Sequence, residues 1–109
     1  FGKQHFRGIA MYLVVGHFVC SPEGRDRAVE LMAEIVKIGR TEQGIKQYAF
    51  YSAPESDCAF MLFEEWESKA AHDVHFESDA MAELVPEFLG LMAEAPDVSY
   101  FDATLAGKL

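Results

Sequence analysis

The stretch that decides the fold is MYLVVGHFVC, residues 11–20, which is followed directly by Ser21-Pro22-Glu23. Its β-branched and aromatic residues, with no acidic side chain among them, predict a central strand that is apolar on both faces. The next three residues predict the start of a helix. Serine is a common N-cap, proline fits the first helical position, and an acid suits the positive end of the helix. The chain therefore begins with a strand that passes at once into a helix.

Along the rest of the chain, the hydrophobic pattern alternates between the period of a helix and the period of a strand. Steps of three and four residues predict a first helix on Ala28, Leu31, Met32, Ile35 and Ile38. A hairpin is predicted from Ile45 to Ser52 and Cys58 to Trp66. Helical segments are predicted at residues 69–76 and 79–92, and Pro86 should kink or split them. A last strand is predicted from Val98 to Leu105. The order βαββαβ is typical of an α+β, ferredoxin-like domain, which has a four-stranded antiparallel sheet with its helices on one face.

One face of such a sheet has no helix to cover it. By alternation we expect Tyr12, Val14 and Phe18 of the first strand to lie on this face, with Met61 and Phe63 of the third. Apolar side chains in this number favour a partner surface over water. The sequence therefore predicts a homodimer in which two sheets pack together as a dimeric α+β barrel.

Composition narrows the class of protein. The 109 residues suit one domain, which we place at residues 11–107, and residues 1–10 have the mixed composition of a tag remnant or a disordered lead. The formal net charge of −9 disfavours nucleic acid and anionic membrane surfaces as partners. No apolar stretch approaches the roughly 20 residues of a membrane helix. These features predict a cytoplasmic protein.

Three short motifs carry a resemblance to a known family. They are Ser21-Pro22-Glu23-Gly24, residues 42–48 (EQGIKQY), and Glu65-Trp66-Glu67-Ser68 followed by Ala70 and His75. In this order they resemble the antibiotic biosynthesis monooxygenase family of dimeric α+β barrels, which includes small quinol monooxygenases. The resemblance runs from about Met11 to Leu105. It implies a pocket between the sheet and the helices in which a small phenolic, quinol or anthrone-like substrate is oxidised, with O₂ as co-substrate and no metal or flavin cofactor.

Three residues are candidates for the chemistry. His75 lies on an otherwise apolar helix, where a neutral imidazole could take a proton from a phenol near pH 7 or serve only as a structural histidine. By alternation His17 points toward the helices, as a base, an orienting group or a partner of Glu64. Trp66 could stack on a flat ring or fill the core.

The predicted substrate pocket has six further residues, namely Phe60, Leu62, Glu64, Phe76, Met81 and Phe88. His72 and His75 are three residues apart, so with His17 or Glu64 they could form a two-histidine, one-carboxylate metal site. No recognised metal-binding motif supports that alternative, and we predict no metal. Haem degradation, which occurs in a related branch, is disfavoured. Residues 82–87 lack the helical histidine of that branch, and His17 occupies the strand position of its catalytic asparagine.

Two other functions remain open. The same imidazoles could move a proton in an isomerase or tautomerase of a small hydroxyketone. A phosphorylated substrate of that kind would need cationic anchors, for which Arg25, Arg27 and Lys46 are candidates. Alternatively, the dimer could bind a small hydrophobic ligand without catalysis.

Overall fold

The computed structural model describes residues 9–109. The elements follow in the order β1 (Ala10–Val19), α1 (Arg25–Gly39), β2 (Ile45–Ala53), β3 (Ser56–Trp66), α2 (Lys69–Phe76), α3 (Asp79–Leu89) and β4 (Asp97–Thr104). The strands form one antiparallel sheet in the order β2-β3-β1-β4. The buried residues of the helices share one core with one face of this sheet. The predicted α+β ferredoxin-like fold is confirmed, with the second helical segment divided into α2 and α3.

The ends of the domain differ slightly from the prediction. Strand β1 begins at Ala10, and the carbonyl of Ile9 accepts a hydrogen bond from the N–H of Leu105. Residues 9 and 10 therefore belong to the folded domain. The prediction of a tag remnant or disordered lead otherwise falls on residues 1–8, which lie outside the described residues.

Local capping explains where the helices begin. Ser68 and Ser78 each accept a hydrogen bond from the backbone N–H three residues further on, and they cap α2 and α3. Oγ of Ser21 accepts a hydrogen bond of 3.1 Å from the backbone N–H of Gly24. This bond closes a turn, and α1 begins only after that glycine. Pro86 cannot donate a backbone hydrogen bond to the carbonyl of Ala82, yet α3 continues past it to Leu89, so the helix is not split at this proline.

The pairing of β1 with β3 decides which side chains face the helices. Tyr12 lies opposite Trp66, and Val14 lies opposite Glu64. Residues directly opposed in an antiparallel pair share a face of the sheet. Tyr12, Val14 and Phe18 are buried under the helices, so their predicted position on the uncovered face is wrong.

The uncovered face, which we call the open face, carries the other half of β1. Leu13, Val15 and His17 share it with Met61 and Phe63 of β3, and the four apolar residues among them are only partly buried. The prediction erred on β1 because this strand is apolar on both sides, so alternation alone could not tell its two faces apart.

Among residues 9–109, no helix combines the length and the apolar character needed to cross a bilayer.

Candidate functional site

A cavity of about 260 Å³ lies between the helix-covered face of the sheet and helices α2 and α3. Five of the six predicted pocket residues line it, namely Leu62, Glu64, Phe76, Met81 and Phe88. The walls are mainly aromatic and aliphatic, and the polar groups among them are Tyr48, Glu64, His72 and Tyr100. An apolar cavity with a few convergent polar groups is the usual form of a small-molecule site.

The sixth predicted residue, Phe60, lies elsewhere. It faces the helices and is buried, but it borders a shallow depression beside Val29 and Met32 of α1. A larger depression of about 1020 Å³ at the end of the sheet is lined by residues such as Lys46, Glu67 and Lys108 and is open to solvent. Neither depression has imidazole or phenol groups in its walls, and we place the site in the smaller cavity.

Glu64 is the carboxyl group in the cavity wall. It is only 4% exposed, and its Oε1 accepts a hydrogen bond of 2.7 Å from Nε1 of Trp66. Burial raises the pKa of Glu64 to about 7, against the opposing effect of the Trp66 hydrogen bond; a hydrogen bond from the Tyr48 hydroxyl also lowers this pKa whenever that hydroxyl points at Glu64. At neutral pH this carboxyl can therefore either take up or release a proton.

His75 is buried one hydrogen bond away from the cavity. Its Nε2 lies 3.2 Å from Oη of Tyr48, and its Nδ1 lies 3.4 Å from Oε1 of Glu42. Burial lowers the pKa of His75, the Glu42 carboxylate opposes this, and the nearby His72 adds to the lowering. Tyr48 rather than His75 lines the cavity, so His75 makes no direct contact with the cavity.

Trp66, the third catalytic candidate, is fully buried and is not part of the cavity wall. Its ring packs against the imidazole of His75, with centroids 5.1 Å apart, and its N–H donates a hydrogen bond to Glu64. Its observed contacts therefore hold two polar side chains in place.

His17 lies on the open face, exposed and opposite Met61, so its predicted orientation toward the helices is wrong. The physical reason is the β1 register described above. A metal site that includes His17 together with His72 and His75 would therefore need ligands on both sides of the sheet. Within the described part of the chain, no group of three or more His, Cys, Asp or Glu side chains is placed to hold a metal ion.

Sequence reasoning missed His72 as a direct cavity residue. It is 6% exposed, it lines the cavity, and its Nδ1 lies 3.0 Å from Oδ1 of Asp73. The rings of Tyr12, Phe76 and Tyr100 surround it at centroid distances of 5.2, 5.9 and 5.5 Å. The available signal was its three-residue spacing from His75, which places both imidazoles on the inner face of α2.

Tyr48 and Glu42 were also missed as site residues, although both lie in the motif of residues 42–48. The turn between them depends on Gly44, whose φ of 88° is in the left-handed region. A Cβ at Gly44 would come within 2.7 Å of the Ala71 side chain on α2. The glycine therefore lets this loop approach α2, which brings Glu42 within reach of His75.

The structure thus defines an α+β ferredoxin-like protein with a buried carboxyl group and an imidazole in the wall of an aromatic cavity. Residues 11–87 match the model of the antibiotic biosynthesis monooxygenase family, and the chain belongs to this family.

The chain is also similar to individual proteins. The uncharacterized protein sll1783 of Synechocystis sp. is 27% identical over 89 residues, which cover 82% of this chain and 60% of that protein. The chain thus spans about 60% of the length of the curated relative it matches. A crystal structure of an antibiotic biosynthesis monooxygenase is 26% identical, with a TM-score of 0.79, covering 84% of this chain and 97% of that one. Rv0793 of Mycobacterium tuberculosis shares the fold, with 23% identity, a TM-score of 0.81 and coverage of 89% and 97%.

Proposed function

We propose that the protein is a cofactor-independent monooxygenase that oxidises a small phenolic, quinol or anthrone-like aromatic with O₂. The observation that carries the proposal is Glu64, a carboxyl with a pKa of about 7 in the wall of an aromatic cavity. A base of this strength suits the removal of a phenolic proton near neutral pH. Family membership supports the same reaction class.

In the proposed reaction the Glu64 carboxylate takes the proton of the substrate hydroxyl. The electron-rich phenolate then reduces O₂ by one electron, and the two radicals combine at a ring carbon. The resulting peroxide takes up the proton of the substrate hydroxyl. The ring carbon then loses its hydrogen as a proton while the O–O bond breaks, and the hydroxide that leaves takes up this proton to form water, so neither a further reductant nor a metal is required for the balance. One oxygen atom stays on that carbon, which becomes the second carbonyl of a quinone.

The cavity walls support this chemistry. Phe76, Phe88 and Tyr100 offer aromatic surfaces for a flat ring and keep water away from the reactive phenolate. We place Nε2 of His72 toward the substrate oxygen, since Nδ1 is engaged with Asp73. In this arrangement Glu64 and His72 are the catalytic residues, and His75 acts through Tyr48.

Cavity size bears on the substrate. About 260 Å³ is slightly below the roughly 300 Å³ at which ligand pockets usually start, and this favours substrates of one or two rings. Phe76, Leu89 and Tyr100 are each about half exposed at the cavity mouth. A three-ring anthrone would project between them.

We further propose that two copies pack through their open faces. Leu13, Val15, Met61 and Phe63 form an apolar strip there, and Phe101 of β4 extends it beside Leu13. A strip of this kind is typical of surfaces covered by a partner. The partner in this proposal is a second copy of the chain.

The isomerase alternative gains no support for a phosphorylated substrate. Arg27 is bound to Glu87 by two hydrogen bonds of 2.7 and 3.0 Å, and Arg25 donates to the backbone carbonyl of Asp57. Neither arginine lines the cavity, and Lys46 borders other depressions.

The test is oxygen uptake by the purified protein, with chelator present and no added cofactor, across hydroquinones, catechols, anthrones and flavonols. We expect uptake that rises with pH through about 7, because the base acts when deprotonated. Glu64→Gln should lower the rate by about 10²- to 10⁴-fold. The exposed Glu67→Gln is the matched control and should keep the wild-type rate.

Three outcomes would contradict the proposal. Equal rates in Glu64→Gln and wild type would remove Glu64 from the chemistry. Substrate conversion that continues under anaerobic conditions would favour the isomerase. Tight ligand binding without turnover, in air or without it, would favour the non-catalytic binding protein.

A further inference from the structure

Four side chains form a polar line from the protein surface to the cavity. Glu42, 26% exposed, lies 3.4 Å from Nδ1 of His75, and Nε2 of His75 lies 3.2 Å from the Tyr48 hydroxyl. Tyr48 in turn lies directly opposite Glu64 in the pairing of β2 with β3, and both are buried in the cavity wall. Of these four groups only Glu64 has a defined step in the proposed reaction; His75 and Tyr48 act indirectly, and Glu42 has no role in it.

Charge sets the direction of donation along this line. A carboxylate only accepts hydrogen bonds, so Glu42 selects the His75 tautomer with its hydrogen on Nδ1. Nε2 is then an acceptor, and the Tyr48 hydroxyl must donate to it. A tyrosine hydroxyl has a single hydrogen, so toward Glu64 it presents an oxygen lone pair. A protonated carboxyl can donate to that lone pair, whereas a carboxylate cannot.

We propose that Glu42 and His75 are positioning residues that hold the Tyr48 hydroxyl proton away from Glu64 and thereby favour the protonated form of the Glu64 carboxyl. When His75 gains a proton, the direction reverses. Nε2–H then donates to Tyr48, and Tyr48 donates to Glu64, which is stabilised as a carboxylate. A proton on Glu64 can thus move to His75 in two steps through Tyr48, with no change in the net charge of the line and no oxidation.

This inference rests on the proposed function only where it identifies the proton as one taken from a substrate. In that case His75 holds the proton beside Glu42, and Glu64 is again a carboxylate that can accept another proton. The groups that face His75 are Tyr48 from β2, Trp66 from β3, His72 on its own helix and Glu42 from the loop before β2. Of these, His72 and Glu42 act on its charge, in opposite senses.

The test needs no ligand. It follows the carboxyl ¹³C resonance of Glu64 against pH in labelled protein, with the signal assigned by its loss in Glu64→Gln. His75→Met removes the acceptor of the Tyr48 proton, which then turns to Glu64. We expect the pKa of Glu64 to fall by about one to two pH units, as a hydrogen bond to a charged group would produce. Loss of a polar neighbour alone would have the opposite effect, because a more apolar site raises the pKa of a carboxyl.

A double-mutant cycle isolates the role of Tyr48. In a Tyr48→Phe background, His75→Met should no longer lower the pKa of Glu64. Tyr51→Phe is the matched control, because Tyr51 lies on the same strand and is exposed. A pKa of Glu64 that rises in His75→Met, or falls equally with and without the Tyr48 hydroxyl, would overturn the proposal.

A measurement on the wild type guards against variants that do not fold. ¹⁵N resonances of His75 at neutral pH should show the tautomer with hydrogen on Nδ1, and hydrogen on Nε2 would overturn the proposal. The two proposals can also fail separately. Absence of oxygen uptake overturns the monooxygenase and leaves these resonances unchanged, whereas the wrong tautomer overturns the positioning line and leaves oxygen uptake as it was.

Discussion

Replacing Glu64 by glutamine should stabilise the protein at alkaline pH. The pKa of this carboxyl rises from 4.5 to about 7 on folding, chiefly through burial. Folding therefore favours the protonated form, so the stability contributed by this group is fully present below pH 4.5 and is lost as pH rises through about 7. A rise of about 2.5 pH units at 1.36 kcal/mol each corresponds to about 3 kcal/mol at pH 8. Glutamine is uncharged, and its amide oxygen can still accept from Trp66, so Glu64→Gln avoids that loss.

The assay is urea unfolding of both proteins at pH 4.5 and pH 8, followed by the fluorescence of Trp66, the single tryptophan. Protein concentration is held constant, because unfolding of the proposed dimer would depend on concentration. All other carboxyl groups are common to both proteins, so the difference between the two free energies of unfolding isolates Glu64. A difference that is the same at both pH values, or a variant less stable than wild type at pH 8, would refute the reasoning.

Three further predictions concern the walls and the open face. His72→Ala should lower oxygen uptake by at least about tenfold, because it removes the imidazole from the cavity wall. His17→Ala, on the open face, is the control and should leave the rate unchanged. Equal losses of oxygen uptake in the two variants would contradict the placement of the site. Phe63→Glu should give a monomer in sedimentation velocity where the wild type gives the proposed dimer, since it places a charge in the apolar strip, while Ala33→Glu at an exposed position of α1 should not; a dimeric Phe63→Glu would exclude the open face as the interface. Met81→Ala should lower the free energy of unfolding by roughly 2–5 kcal/mol in a urea titration and shift ligand preference toward larger rings, because Met81 is buried in the cavity wall; unchanged stability and preference would contradict this.

The fold was accessible from sequence because each element carries its own local signal. Each element is specified by residues close to one another in sequence. Examples are the apolar run of residues 11–20, the helical spacing that starts at Ala28 and the turn at residues 53–57. Serine caps marked the starts of α2 and α3 for the same reason. The order of the elements then left the ferredoxin-like arrangement as the natural solution.

The candidate site could be predicted only in part. Leu62, Phe76, Met81 and Phe88 were found because apolar periodicity identifies inward-facing positions. His17 was placed on the wrong face, because a strand that is apolar on both sides contains no information about its own register. His72 was treated only as a possible metal ligand, because its aromatic neighbours come from β1 and β4 as well as its own helix.

The sequence by itself determined the type, order and approximate limits of the secondary structure, since these follow from neighbours one to four residues apart. Only the tertiary structure decided the chemistry of the site. The His75 contacts with Tyr48 and Glu42 span 27 and 33 residues of chain, and strand pairing decides that Glu64 is buried in the cavity wall. The partners of a polar group and its distance from water are properties of the folded chain, and it is these that set the pKa of Glu64.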